Sequence, residues 1–192
     1  MTGSAKDYFR EVKQVLDKVD LRTVEKAVQV MWAGYKMAKT IFFIGNGGSA
    51  STATHLAADI GKNTVVDHRD DKERRFRTMA LTDNPAWIMA LGNDLGFEDI
   101  FVEQLKNWGQ RGDVVVAISG SGNSPNVVKA VEWAKKKGLK TVGLLGFDGG
   151  KLGRLVDVQV LVPVKHYGYV EGIHSEIHHY WVEVLKRWKK DE

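Results

Sequence analysis

Apolar and polar positions change period several times along the chain, and each change marks an element. Residues 7–19 and 21–39 predict two amphipathic helices, with Val24, Val28 and Met31 forming a helical stripe in the second. Ile41, Phe42, Phe43 and Ile44 break that period with a continuous run of β-formers, as a buried parallel strand does, and Gly45-Asn46-Gly47-Gly48-Ser49 stops it. Residues 51–60 lack glycine and proline and carry several alanines, which predicts a helix. The stretch DHRDDKERRFR at 67–77 is too charged to bury and predicts an exposed loop. A short strand over 77–81 ends in Thr82-Asp83-Asn84-Pro85, a helix-start signal. Helical pieces follow to 91 and over 97–108, with Gly92-Asn93-Asp94 interrupting them.

The second half repeats the alternation. A turn at 110–113 leads into the apolar strand 114–118, which ends in Ser119-Gly120-Ser121-Gly122-Asn123-Ser124. Pro125 suits the first turn of a helix, with Ser124 as its N-cap. Val127, Val131 and Ala134 share one face of a helix over 126–137, and Gly138 is a fitting end for it. Strands over 141–145 and 156–162 and a long helix over 169–189 complete the chain. Five strands alternating with helices predict an α/β fold: one domain over 1–192 whose mostly parallel sheet is covered by helices on both faces.

In such sheets ligands sit beyond the C-terminal ends of the strands, where both glycine-serine turns fall. A turn that opens a helix aims backbone N–H groups, at the positive end of the helix dipole, into one small space. Two such turns suit the phosphate and hydroxyls of one small phosphosugar.

Composition narrows the classes. The hydrophobic fraction is 43% with no run long enough to span a bilayer, and the charged N-terminus lacks a signal peptide's apolar centre. No membrane partner is expected, and a cytoplasmic location is. Cysteine is absent, which excludes disulfides, thiolate ligands and a cysteine nucleophile. The net charge of +4 would permit nucleic-acid binding, but Lys135-Lys136-Lys137 and Lys186, Arg187, Lys189 and Lys190 end predicted helices, where cations complement the dipole. No nucleic-acid partner is expected.

Residues 45–50, GNGGSA, also satisfy the G-x-G-x-x-A pattern of dinucleotide binders, with Asp67 at a suitable distance. The polar surroundings of Asp67 and the serine-rich second turn argue against that alternative. His55 and Asp59, four apart, share a helix face, and Glu171, His174, His178 and His179 crowd the start of the last helix. Histidine and carboxylate are general acid/base types and also metal ligands; two histidines with Asp and Glu would make a zinc-class site.

With these residues assembled, the chain resembles the sugar isomerase (SIS) family, and within it the phosphoheptose isomerase group. The resemblance covers nearly the whole chain and rests on GNGGSA at 45–50, HLAAD at 55–59, LGNDLGFEDIF at 91–101, SGSGNSPNV at 119–127, GFDGGKL at 146–152 and the histidines of the final helix. It implies a three-layer αβα sandwich around a doubly wound five-stranded sheet, with N-terminal helices that pack in an oligomer. It implies an aldose–ketose isomerase interconverting sedoheptulose 7-phosphate and a glycero-manno-heptose 7-phosphate. By the same resemblance Ser49, Ser119, Ser121 and Ser124 form the phosphate cradle, and Asn46, Gly47 and Asp94 contact the sugar. Asp59 and His179 fall on the family's catalytic carboxylate and histidine. His55 and Glu171 fall beside them, so that His55, Asp59, Glu171 and His179 would hold one zinc ion, with Glu171 also facing substrate. The chain departs from the family in having Asp59 for a usual Glu, Glu171 for a common Gln, Gly120 for a frequent Thr, and Lys62-Asn63 where an arginine is often seen. The alternative from another class is a non-catalytic relative that binds the bacterial replication initiator; retention of Asp59 and His179 argues for an enzyme.

In the last helix Ile173, Ile177, Val184 and Trp188, widened by Tyr180, Trp181 and Leu185, predict a face packed on the sheet. His179 then points nearly opposite that face, with His174 and His178 at its margin. Read from the residues alone, Glu171, His174 and His178 make the better local cluster; the resemblance selects His179. Both hold if the far face of the helix meets another subunit; the resemblance implies tetramers, so a homotetramer with sites completed at its interfaces is expected.

Overall fold

The computed structural model describes residues 3–192. Helices and strands follow in the order α1 (Ala5–Leu16), α2 (Leu21–Lys36), β1 (Thr40–Gly45), α3 (Gly48–Asn63), β2 (Arg77–Ala80), α4 (Pro85–Asp94), α5 (Val102–Trp108), β3 (Val114–Ser119), α6 (Pro125–Lys136), β4 (Lys140–Gly146), α7 (Gly150–Leu155), β5 (Val158–Val162) and α8 (Tyr167–Lys190), with a 3-10 turn at Phe97–Asp99. The strands form one parallel sheet in the order β2-β1-β3-β4-β5. That order reverses direction between β1 and β3, the switch point at which doubly wound sheets bind ligands. The glycine turns after β1 and after β3 lie side by side there.

Alternation along the strands divides the core in two. Ile41, Phe43, Val114, Val116 and Ile118 face a layer built from α1, α2, α3 and α8. Phe42, Ile44, Val115 and Ala117 face the opposite layer, with Leu105 of α5, Val127 and Val131 of α6, and Leu152 of α7. β3, the central strand, is buried along its whole length, as its unbroken valines require. Local chemistry sets several helix starts: the side chains of Ser4, Asp20 and Asn84 accept from the amides of Asp7, Arg22 and Trp87.

Some boundaries differ from the sequence reading. α4 continues through Gly92-Asn93-Asp94 and stops only before Gly96, whose φ of 133° no side chain favours. The second helix ends at Lys36, and Ala38 with φ 54° turns the chain into β1. α7 was too short for a helical period to register, and it moves the start of β5 to Val158. The charged segment before β2 is mostly exposed but not free. Phe76 is buried and stacks on Tyr35 at 4.3 Å. Glu73 pairs with Lys189 of α8 and accepts the amides of Val66 and Asp67, each at 2.9 Å.

The largest correction concerns α8. It packs chiefly against α3, with further contacts to α1, α2, β4 and β5, rather than lying flat on the sheet. Its buried stripe therefore runs through Val170, Ile173, His174, Ile177, His178, Trp181 and Leu185, while Val184 and Trp188 are only partly covered and Tyr180 is 43% exposed. His174 and His178 lie inside the stripe, not at its margin. Trp181 fixes the helix by donating its indole N–H to the carbonyl of Val24, 3.0 Å away.

Candidate active site

At the switch point, Gly47 carries a positive φ of 54° and opens α3 with no side chain to cap it. The amides of Gly48 and Ser49 are left for a ligand, whereas that of Ala50 donates to the Gly47 carbonyl at 3.0 Å. Across the gap, Ser124 occupies the N-cap position of α6, but its hydroxyl makes no capping bond. It lies 3.5 Å from the Ser119 hydroxyl, which in turn accepts the amide of Gly122. The two turns are tied together by a reciprocal amide pair: Asn46 Nδ2 donates to Asn126 Oδ1 at 2.8 Å, and Asn126 Nδ2 donates to Asn46 Oδ1 at 2.9 Å. Between them lies a cavity of about 260 Å³ lined by Asn46, Gly47, Gly48, Ser49, Ser119, Ser121, Ser124, Tyr167 and Glu171. Four serine hydroxyls, uncapped helix amides and the ring of Tyr167 suit a phosphate and its attached carbon chain.

Two glycines here answer to space. The carboxylate of Glu171 lies over Gly48, 2.7 Å from where a Cβ would stand, so a larger residue at 48 would expel it. A Cβ on Gly120 would stand 2.8 Å from the ring of Tyr167. The glycine at that position thus leaves room for an aromatic wall, which Phe147 holds edge-on at 4.9 Å.

A second group of polar side chains stands further along the groove between α3 and α8. These helices run side by side in the same direction, with Gly48 beside Glu171 and Asp59 beside His178. Asp59 Oδ2 lies 3.2 Å from His55 Nε2, 3.1 Å from His178 Nε2 and 3.8 Å from His179 Nδ1, while Oδ1 accepts from Asn63 at 3.0 Å. His178 is fully buried, whereas His55 and His179 are each 52% exposed at the side chain. Burial, reinforced by neighbouring His179, pushes the His178 pKa down to about 4 against the pull of Asp59. His178 is therefore a neutral imidazole at pH 7. One ring nitrogen from each of the three histidines lies within 4.8 Å of the others. Imidazole and carboxylate donors converging in this way suit a zinc-class divalent cation.

The expected residues therefore fall into three places. Asn46, Gly47, Ser49, Ser119, Ser121, Ser124 and Glu171 meet in the cavity, although the Asn46 amide is engaged by Asn126. His55, Asp59 and His179 meet in the second group. Glu171 is not with them: it stands eight residues before His179 on α8, about 12 Å along the axis. Asp94 lies outside the cavity, at the exposed end of α4 beside Asn93. His174 is buried apart from both groups. Asn126 and Tyr167 escaped the sequence reading; Asn126, a polar residue just inside a helix after Ser-Pro, carried the stronger signal. Asp67 precedes β2 and accepts the amide of Arg69 in the exposed loop. A dinucleotide binder needs its acidic residue at the other end of that strand, so this alternative lacks its key contact.

Comparison with known proteins agrees with this architecture. A family model described as the SIS domain matches residues 7–146. A phosphoheptose isomerase of Fusobacterium nucleatum is 38% identical over 188 residues, covering 97% of this chain and 94% of the relative. One from Syntrophotalea carbinolica is 33% identical over 189 residues, with the same coverage of both. Among solved structures, phosphoheptose isomerase GmhA from Neisseria gonorrhoeae superposes with a TM-score of 0.84 at 31% identity, covering 93% of this chain and 94% of that one. The family model takes in both glycine-serine turns, the relatives cover nearly the whole chain, and the chain belongs to the SIS domain family, in its phosphoheptose isomerase group.

Proposed function

We propose that this chain is a phosphosugar aldose–ketose isomerase that converts sedoheptulose 7-phosphate to D-glycero-D-manno-heptose 7-phosphate through a cis-enediol. One observation carries the reading: a carboxylate ringed by imidazoles shares a groove with a pocket of serine hydroxyls and uncapped helix amides. The pocket would hold the phosphate and so position the distant reacting carbons. A base takes a proton from C1 of the ketose while an acid protonates O2, giving the enediol. The same face then returns a proton to C2 as the O1 hydroxyl loses its own, giving the aldose. Asp59 and His179 are the pair for these transfers. His179 Nδ1 lies 3.8 Å from Asp59 Oδ2, close enough for the two groups to act on one bound substrate. A bound zinc-class cation would supply Lewis-acid polarisation of the substrate oxygens. His55, Asp59 and His179, with His178 beside them, are the residues of one chain within reach of it.

The working unit in this reading is a cytoplasmic homotetramer. In one chain the serine pocket and the acid/base group are separated along the groove, and His55 and His179 face solvent. A groove of about 320 Å³ between α1, α2 and α8, lined by Leu16, Val19, Leu21, Val24, Ile177 and Tyr180 together with Glu25 and Glu176, offers a mostly apolar surface to another subunit. A neighbour docked there would cover His179 and complete the site. Light scattering on the active enzyme should give four subunits; a fully active monomer overturns the assembly. For the chemistry, Asp59→Asn and His179→Ala should each lower turnover by about two orders of magnitude or more. A folded double variant with unchanged turnover overturns the assignment. Zinc should co-purify and its chelation should lower activity; full activity in metal-free protein overturns the metal.

A further inference from the structure

We propose that Tyr167 is a specificity-determining residue: backed by Phe147, its ring closes the serine pocket on the side away from the imidazoles, so that the pocket accepts a terminal phosphomonoester and refuses a diphosphate. This inference rests on the phosphate reading above and deepens it by naming which phosphate esters are admitted.

Tyr167 is the first residue of α8, one turn before Glu171, and its ring lies on the backbone of Gly120, where a Cβ would stand 2.8 Å from it. On that side the serine turn therefore meets an aromatic face rather than solvent. Phe147, just after β4, meets the Tyr167 ring edge-on with centroids 4.9 Å apart. It does so with a φ of 55°, a left-handed conformation that strains a bulky residue and persists only where the surroundings fix the backbone.

The surroundings fix it here. A Cβ on Gly146 would stand 2.6 Å from both the Gly120 carbonyl and the side chain of Val170, and one on Gly122 would run into the Gly149 carbonyl. The turns after β3 and β4 are thus pressed together, and the amide of Leu152 donates to the Gly122 carbonyl at 3.0 Å to hold them so. The strained residue is the one that backs the wall.

The wall stands between two cavities. Tyr167 lines the serine pocket, Phe147 lines a neighbouring cavity of about 370 Å³ that also holds Asp148 and Lys165, and Ser121 lines both. In the reading above, the carbon chain of a phosphomonoester leaves the pocket along α8 toward Asp59 and His179. A second phosphoryl group has two ways to go. Along α8 it meets the Glu171 carboxylate, which repels it. On the other side it meets the face of the Tyr167 ring, which offers neither a donor nor a counter-charge, while the Lys165 ammonium belongs to the cavity beyond.

The test is calorimetric titration of the full-length protein with inorganic phosphate and with pyrophosphate. Wild type should bind pyrophosphate at least about tenfold more weakly than phosphate. In Tyr167→Ala pyrophosphate should bind as tightly as phosphate or more so, with phosphate itself within about threefold of its wild-type affinity. Tyr167→Phe should keep the wild-type preference, because the ring and not the hydroxyl forms the wall. Gly120→Ala reaches the same end with the tyrosine in place: its Cβ displaces a ring whose residue is 55% exposed and has solvent to swing into, so the preference should be lost. Comparison between variants cancels any contribution from a bound cation. Wild type that binds both anions equally, or the preference retained in a folded Tyr167→Ala or Gly120→Ala, overturns the proposal and leaves the phosphate pocket standing. Wild type that binds neither anion overturns the phosphate reading itself, and the proposal with it.

Discussion

Among single residues, His174 gives the cleanest physical prediction. It is buried against the sheet side of α8, and that burial pushes its pKa down to about 4, only partly offset by the backbone of Leu145. Its folded value lies below its unfolded value of 6.5, so between those two the unfolded chain binds a proton that the folded chain refuses. Stability from this group is complete above pH 6.5 and falls as pH drops toward 4, by up to about 3 kcal/mol in total. Urea denaturation at a series of pH values should show the decline, and His174→Leu should make it shallower by close to one proton. An unchanged slope in that variant would contradict the burial argument. Glu171 carries a second prediction. It brings a negative charge to a pocket shaped for phosphate, so Glu171→Gln should tighten competitive inhibition by inorganic phosphate roughly tenfold. Equal or weaker inhibition would place the phosphate elsewhere. The serines were legible because a turn between an apolar strand and a helix start has a known geometry. His178 was harder, because its role depends on which helix lines the other side of it, and a one-dimensional stripe does not say that α8 leans on α3.

For the elements, α6 separates structure from function. Ser124 sits at its N-cap position, yet its hydroxyl makes no capping bond, and Pro125 already fixes the first turn. Ser124→Ala should therefore change stability by less than about 0.5 kcal/mol, below the usual loss for a capping serine, while lowering affinity for the phosphosugar. A large loss of stability with unchanged affinity would reverse that reading. The segment before β2 offers the opposite case. Burial alone would raise the pKa of Glu73, but Lys189 and the amides of Val66 and Asp67 outweigh it and hold the value at about 2. This carboxylate is depressed, so its stabilisation is present above about pH 4.5 and disappears as pH falls toward 2. Lys189→Met strands Glu73 in a nearly closed site and should cost about 3 kcal/mol at pH 7, measured by denaturation. Adding Glu73→Gln should recover part of it. Charge density correctly made this segment a loop, but it gave no sign of the anchor to α8, a contact 116 residues away in sequence.

Over the whole molecule, the alternation of apolar runs with helical stripes carried the fold, because each run had only one way to bury itself. Strand order was not written in any run. The observed order places β1 beside β3, which brings two turns about 70 residues apart or more into one pocket through Asn46 and Asn126, 80 residues apart. The remaining distance within one chain, between serine pocket and acid/base group, is what a second subunit is proposed to resolve. The central claim is proton transfer between C1 and C2 of a seven-carbon phosphosugar, and isotope exchange tests it most directly. Sedoheptulose 7-phosphate incubated with the protein in D₂O and followed by NMR should gain deuterium at C1, and at C2 of the aldose that forms alongside it, with Asp59→Asn abolishing both. A folded wild-type protein that yields neither exchange nor aldose would contradict the account.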